Sequence, residues 1–269
     1  MRAGRPRRTA AAAGLTLLAA LTAAGAAAVV VPSSPPQLRP AATAALPPPV
    51  RPAFVPGAPR PLRRTPNGTL WAAVRGRRPV AVHGAAGGGA LLGRLSPRTP
   101  EGTRNLVVIV GRAEDARGRP WVHVRLPVLP NNTTGWVPRS ALGGYHRVLT
   151  RLDVDLGRLR ATLLRDGRRV LDVPVAVGMP GWPTPRGRFY VRNRLTRYRS
   201  PTYGPVAFGT SARSEVATDW PAGGFVGIHG TNRPDLVPGR ISHGCIRMRN
   251  ADILALARRM PIGTPVVVR

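Results

Sequence analysis

The sequence predicts a mainly β protein with a single clear helix, and three observations carry that prediction. Short apolar runs recur between glycine, proline and asparagine from Thr69 onward, in a chain of 269 residues with 31 glycines and 31 prolines. Leu152-Asp153-Val154-Asp155-Leu156 alternates strictly, as a half-buried strand does. Only one stretch, Asn250 to Met260, places apolar residues at helical spacing downstream of the N-terminal segment.

Residues 1–31 read as a signal peptide or membrane anchor. Arg2, Arg5, Arg7 and Arg8 form a basic start, and Ala10 to Val31 is continuously apolar or small. Export follows from either reading, which places the body of the chain in the cell envelope or outside the cell. Residues 32–68 form a proline-rich linker, with Pro35-Pro36 and Pro47-Pro48-Pro49, too poor in large apolar groups to build a core and extended by polyproline geometry.

Residues 69–142 form a first β module. Its strands are Leu70 to Val74, Val80 to Val82, Leu106 to Val110, Trp121 to Leu126 and Gly135 to Val137, with Gly87-Gly88-Gly89 and Asn131-Asn132 as breaks between them. The ending Gly135-Trp136-Val137-Pro138 resembles the closing strand of bacterial SH3-type domains, which implies a small β-barrel that touches cell-wall polymer or packs on a catalytic partner.

Residues 147–269 form the second module. Arg160 to Arg165 and Arg168 to Val177 flank Asp166-Gly167, a two-residue hairpin signal. Strands are expected at Phe189 to Val191, Gly224 to Ile228 and Val266 to Val268. The helix is expected to be capped by Asn250, with Asp252 in its first turn and with Ile253, Leu254, Leu256, Ala257 and Met260 on its apolar face. Arg258 and Arg259 fall in its last turn, and Pro261 and Gly263 end it.

The formal charge is +30, and all 41 basic residues are arginine. The arginines are spread through every segment. Zinc-finger spacing, a basic zipper and an aromatic-interleaved RNA motif are all missing from the sequence, so a nucleic-acid partner is not expected.

The chemistry gathers around the single cysteine, Cys245, in Ser242-His243-Gly244-Cys245-Ile246-Arg247-Met248, with Gly227-Ile228-His229-Gly230-Thr231 upstream. One cysteine has no intramolecular disulfide partner. A thiol with a pKa of about 8.5 is a poor nucleophile at neutral pH unless a base takes its proton. His243, two residues away, shares the cysteine face if the segment is an extended strand, and His229 ends a strand able to lie alongside. Gly244 allows close approach to a substrate carbonyl, and the amides of Gly244 and Cys245 are candidate oxyanion donors. Arg247 suits a substrate carboxylate, and Ser242 or Thr231 is placed to orient an imidazole. A zinc site built from His229, His243 and Cys245 lacks a companion cysteine or a glutamate-bearing helix. His83, His123 and His146 have no such surroundings.

The two runs together, with the turn Thr184-Pro185-Arg186-Gly187-Arg188-Phe189, resemble the L,D-transpeptidase catalytic domain, the YkuD family. The resemblance implies a mixed β-sheet, peptidoglycan stem peptides as substrate, and neither metal nor organic cofactor. It implies Cys245 as nucleophile, His229 as general base, His243 as a second imidazole, backbone donors at Gly244 and Cys245, and substrate-side roles for Gly230, Thr231, Ser242 and Arg247. With water as acceptor the same site is an L,D-carboxypeptidase. A non-catalytic wall-binding protein is the alternative of another class, and the intact histidine and cysteine positions argue against it. Tyr203 to Gly209 reads as core before groove wall, and no family role is carried onto Tyr203.

Overall fold

The computed structural model of the chain describes residues 68–196, 200–217 and 224–269. The signal or anchor at 1–31 and the linker up to residue 67 lie outside the described residues.

The first module is one antiparallel sheet of seven strands. These are β1 (Thr69–Val74), β2 (Val80–Ala85), β3 (Gly88–Leu95), β4 (Leu106–Glu114), β5 (Pro120–Arg125), β6 (Thr134–Pro138) and β7 (Leu142–Val148), ordered β3-β2-β6-β5-β4-β1-β7. The apolar positions that alternate along β2, β4, β5 and β6 close over one core: Val82, Val107, Val122, Val124 and Val137 are buried together. Two strands differ from the sequence expectation. Gly88 and Gly89 begin β3 instead of separating strands, because its pairing to β2 rests on main-chain bonds that need no side chain. The run after Leu142 is β7, which pairs with β1 and carries the sheet to Val148.

The second module is a mixed sheet of ten strands. They are β8 (Thr150–Asp155), β9 (Arg160–Arg165), β10 (Arg168–Pro174), β11 (Ala176–Gly178), β12 (Gly187–Leu195), β13 (Ala207–Arg213), β14 (Phe225–His229), β15 (Gly239–Ser242), β16 (Ile246–Arg247) and β17 (Pro265–Val268). Their order is β10-β9-β8-β17-β12-β13-β14-β16-β11-β15. Asp166 and Gly167 take positive φ, 49° and 77°, as a tight hairpin between β9 and β10 requires. Leu152, Val154 and Leu156 point into the core with Phe208, Ile228, Ile246 and Met248.

Among the described residues one α-helix is present, α1 (Asn250–Ala257). Ile253, Leu256 and Ala257 bury, but Leu254 is 39% exposed, on the outer side of the helix. Asn250 is the first helical residue and does not cap. Its side-chain oxygen accepts the Thr231 amide at 3.0 Å, pinning the segment after β14 to the start of the helix. The helix ends at Ala257, so Arg258 and Arg259 lie beyond its last turn and not in it; Arg259 Nη1 reaches back to donate to the Ala255 carbonyl at 2.9 Å.

The modules meet through polar pins that the sequence does not advertise. Asn131 accepts the Arg213 amide at 3.0 Å and donates to the Arg213 carbonyl at 2.8 Å, and Asn132 accepts the Arg188 amide at 2.8 Å. Tyr190, fully buried, donates to the Leu106 carbonyl at 3.2 Å and packs with Leu106 and Val108.

Candidate active site

β14 and β16 run parallel, with Ile228 opposite Ile246 and His229 opposite Arg247. This register puts Gly227 beside Cys245, and the Gly227 amide donates to Cys245 Sγ at 3.3 Å. A Cβ built on Gly227 would lie 3.6 Å from His229 Cδ2 and 3.8 Å from Cys245 Sγ. The two functional groups therefore flank one bare glycine. They line a cavity of about 440 Å³ together with His243, Arg247 and Tyr203.

His229 is 2% exposed, and its Nδ1 lies 2.6 Å from the Gly230 carbonyl. A carbonyl only accepts, so Nδ1 carries the proton and Nε2 keeps its lone pair. Gly230, not Ser242 or Thr231, therefore orients this imidazole. Burial, with the Arg247 charge adding to it and the Gly230 bond opposing it, pulls the His229 pKa down from 6.5 to about 4. Between those values an unfolded histidine holds a proton that the folded one refuses. Stability should therefore rise with pH from about 4 to 6.5. Thermal unfolding across that range checks this, and His229→Gln should flatten the slope.

Burial pushes the Cys245 thiol up, while the Gly227 amide and the Arg247 guanidinium pull it down. The resting pair is thus a thiol beside a neutral imidazole, each closer to its uncharged form than in water. Arg247 faces both groups, and its buried Nε has no hydrogen-bond partner.

His243 does not share a strand face with Cys245. β15 ends at Ser242, and Gly244 turns the chain with φ 108° before β16 begins. A side chain there would be strained. His243 is left exposed, its ring edge-on to Trp182 at 4.9 Å. Ser242 closes this turn: its hydroxyl donates to the Cys245 carbonyl at 2.6 Å and accepts the Gly244 amide at 3.2 Å. The Gly244 amide is therefore occupied, which removes it as a ready oxyanion donor. Ser242→Ala should cost about 2 kcal/mol by leaving two buried groups unpaired. Thermal melts read that loss, and slower alkylation of Cys245 reads the loosened turn. Thr231 is buried too, its hydroxyl accepting the Arg233 amide at 3.0 Å.

Three contributors were not assigned from the sequence. Tyr203 lies with its ring 4.5 Å from the His229 ring, tilted 46°, so it is groove wall and not core. Thr184, in the quoted turn but given no role, accepts the Gly178 amide and donates to the Gly244 carbonyl, both at 2.9 Å. Glu101 arrives from the first module and lines the same cavity.

Residues 149–268 match the model of the YkuD family, described as the L,D-transpeptidase catalytic domain. The chain is 38% identical over 115 residues to the Bacillus subtilis (strain 168) protein that carries the name L,D-transpeptidase YkuD, covering 43% of this chain and 63% of that one. It is 29% identical over 120 residues to the Escherichia coli (strain K12) protein named as L,D-transpeptidase ErfK/SrfK, 38% of each. Among solved structures, the C442S mutant of Enterococcus faecium L,D-transpeptidase is similar at 27% identity and TM-score 0.36, over 45% of this chain and 49% of that one. The matched stretch spans less than two thirds of each of these relatives. Residues 149–268, just under half of the chain, are therefore similar to the L,D-transpeptidase catalytic domain.

Proposed function

We propose that the chain is a cysteine-dependent peptidoglycan L,D-transpeptidase. The observation that carries the reading is the flanking of Gly227 by the Cys245 thiol and by a buried, neutral His229 whose Nε2 is free to take a proton. His229 Nε2 removes the thiol proton as sulfur attacks the carbonyl of the L-centre residue in a tetrapeptide stem. The C–S bond forms, the amide C–N bond breaks, and the terminal D-alanine leaves with the proton returned from His229. An amine of a second stem then attacks the thioester. Its C–N bond forms, the C–S bond breaks, and Cys245 recovers its proton. The Cys245 amide and the Arg247 guanidinium serve the carbonyl oxygen or a stem carboxylate. His243, at the cavity mouth beside Trp182, positions substrate.

Incubation with a disaccharide-tetrapeptide tests the reading. Cross-linked dimer supports transpeptidation, tripeptide alone means that water is the acceptor, and neither product sinks it. Because His229 stays neutral down to about pH 4, turnover should hold at pH 5.5 and fall only as the pH approaches 4. A fall centred near 6.5 would assign the base elsewhere. His229→Ala should lose more activity than His243→Ala, and the reverse order would exchange their roles.

The same proposal makes residues 1–31 the export signal or anchor and residues 32–68 the spacer. It makes residues 69–142 an SH3-like module on cell-wall polymer, and residues 147–269 the catalytic domain of the cell envelope. Binding of residues 69–142 to purified sacculi that persists at high salt would separate wall recognition from charge attraction by the arginines.

A further inference from the structure

Glu101 sits on the tight loop between β3 and β4, held by Thr99 and Thr103. One carboxylate oxygen accepts Arg192 Nη2 at 3.0 Å, and the other accepts Asn193 Nδ2 at 3.0 Å. Arg192 is 1% exposed, has its guanidinium carbon over the Phe225 ring at 3.7 Å from the centroid, and donates from Nε to the Thr210 carbonyl at 2.8 Å. Among the described residues its ion pair is with Glu101. Phe225 opens β14, the strand that ends in His229. A carboxylate from the first module thus holds a buried guanidinium that carries the wall of the groove in the second.

Between Glu101 and Cys245 the floor carries no bulky side chain: the Asn193 carboxamide is seated on Gly209, and Gly227 is open beside the thiol. Asn193 pairs with Gly209, Gly209 pairs with Gly227, and the Gly227 amide meets Cys245 Sγ. Three strand steps cover roughly 14 Å, the length of about four extended residues. A Cβ on Gly209 would strike the Asn193 carboxamide, which itself accepts the Gly209 amide at 3.0 Å. Gly227 leaves main chain facing the cavity and only a carboxamide covers Gly209, so an extended peptide has room to lie along this path.

We propose that Glu101 is a positioning residue of the catalytic groove, and that a peptide joined to Cys245 runs over Gly227 and Gly209 toward it. The proposal extends the function given above by assigning the groove to both modules. Removing the carboxylate leaves a buried guanidinium without its counter-charge. Arg192 then turns toward water and Phe225 loses its support, so long ligands suffer while small ones at the thiol do not.

The test compares alkylation of Cys245 by iodoacetamide and by a tetrapeptidyl chloroacetamide, in the full chain. Glu101→Ala should slow the peptidyl reagent about tenfold and iodoacetamide less than twofold. Glu101→Gln keeps the side-chain length and one neutral acceptor. It should slow the peptidyl reagent about threefold, and it carries the test if the alanine variant fails to fold. An unchanged ratio of the two rates, or equal slowing of both reagents, overturns the proposal. Stem-peptide transfer plays no part in this measurement. If the wild-type chain transfers no stems and Glu101→Ala still changes the ratio, the proposed function sinks and the role of Glu101 stands.

Discussion

Cys245→Ala is expected to leave a folded chain that forms no acyl-enzyme. The thiol contributes little to the fold. The residue lines the cavity wall, and the thiol's hydrogen bond is the 3.3 Å contact from the Gly227 amide. Alanine removes one atom there and keeps the turn, because Ser242 bonds main-chain groups of Gly244 and Cys245 and not the sulfur. Chemistry is another matter. Without sulfur the substrate carbonyl meets no nucleophile, and losing the attacking atom of a catalytic cysteine or serine removes nearly all covalent catalysis. Stem-peptide turnover should fall by more than about 10⁴-fold. Mass spectrometry after incubation with a carbapenem-type β-lactam should show the added mass on the wild-type chain and none on the variant. Thermal melts of the two should agree within a few degrees. Wild-type turnover by the alanine variant would falsify the mechanism.

Gly178→Ala should have a large effect although the residue lies outside the candidate reacting groups. Gly178 ends β11, opposite Ser242, and the segment from Trp182 to Thr184 crosses directly over it. A Cβ on Gly178 would meet the Trp182 carbonyl oxygen, the Thr184 nitrogen at 2.5 Å and the Pro183 carbonyl carbon at 2.7 Å. All three are main-chain atoms, so no rotamer change relieves the contact. The strap must lift, breaking the Thr184 bond to the Gly178 amide and with it the bond from the Thr184 hydroxyl to the Gly244 carbonyl. Overpacking of this kind costs about 3 kcal/mol. The loss reaches the site because Gly244 is the residue that turns the chain into Cys245. Thermal unfolding should show the lower stability, and alkylation of Cys245 should lose its dependence on the turn. An unchanged melt would mean that the strap is not seated on Gly178.

Much of the strand pattern was legible because it depends on local alternation and turn chemistry. Leu152, Val154 and Leu156 announce β8, and Asp166-Gly167 announces the β9–β10 hairpin, since both signals lie within a few residues. β15 was not legible. Its residues Gly239–Ser242 become a strand by pairing in parallel with β11, far away in sequence. Nor was the use of Asn250. A cap is the usual role for asparagine at a helix start, but here its oxygen serves Thr231, which tertiary contact brings within reach. His243 was misplaced for a related reason: spacing by two implies a shared face only in extended backbone, and Gly244 breaks that backbone.

The sequence by itself determined which groups are candidates and what chemistry their types allow. A single cysteine among histidines and glycines, with an arginine two residues on, is readable because the groups lie in two short runs. Only the tertiary structure decided how those groups are tuned and what surrounds them. The Gly230 carbonyl fixes the His229 tautomer, burial keeps that ring neutral, and the parallel pairing of β14 with β16 sets Gly227 between imidazole and thiol. Glu101 shows the reason most plainly. It is 91 residues from Arg192 in sequence, and a charge pair across modules leaves no periodic or local trace along the chain.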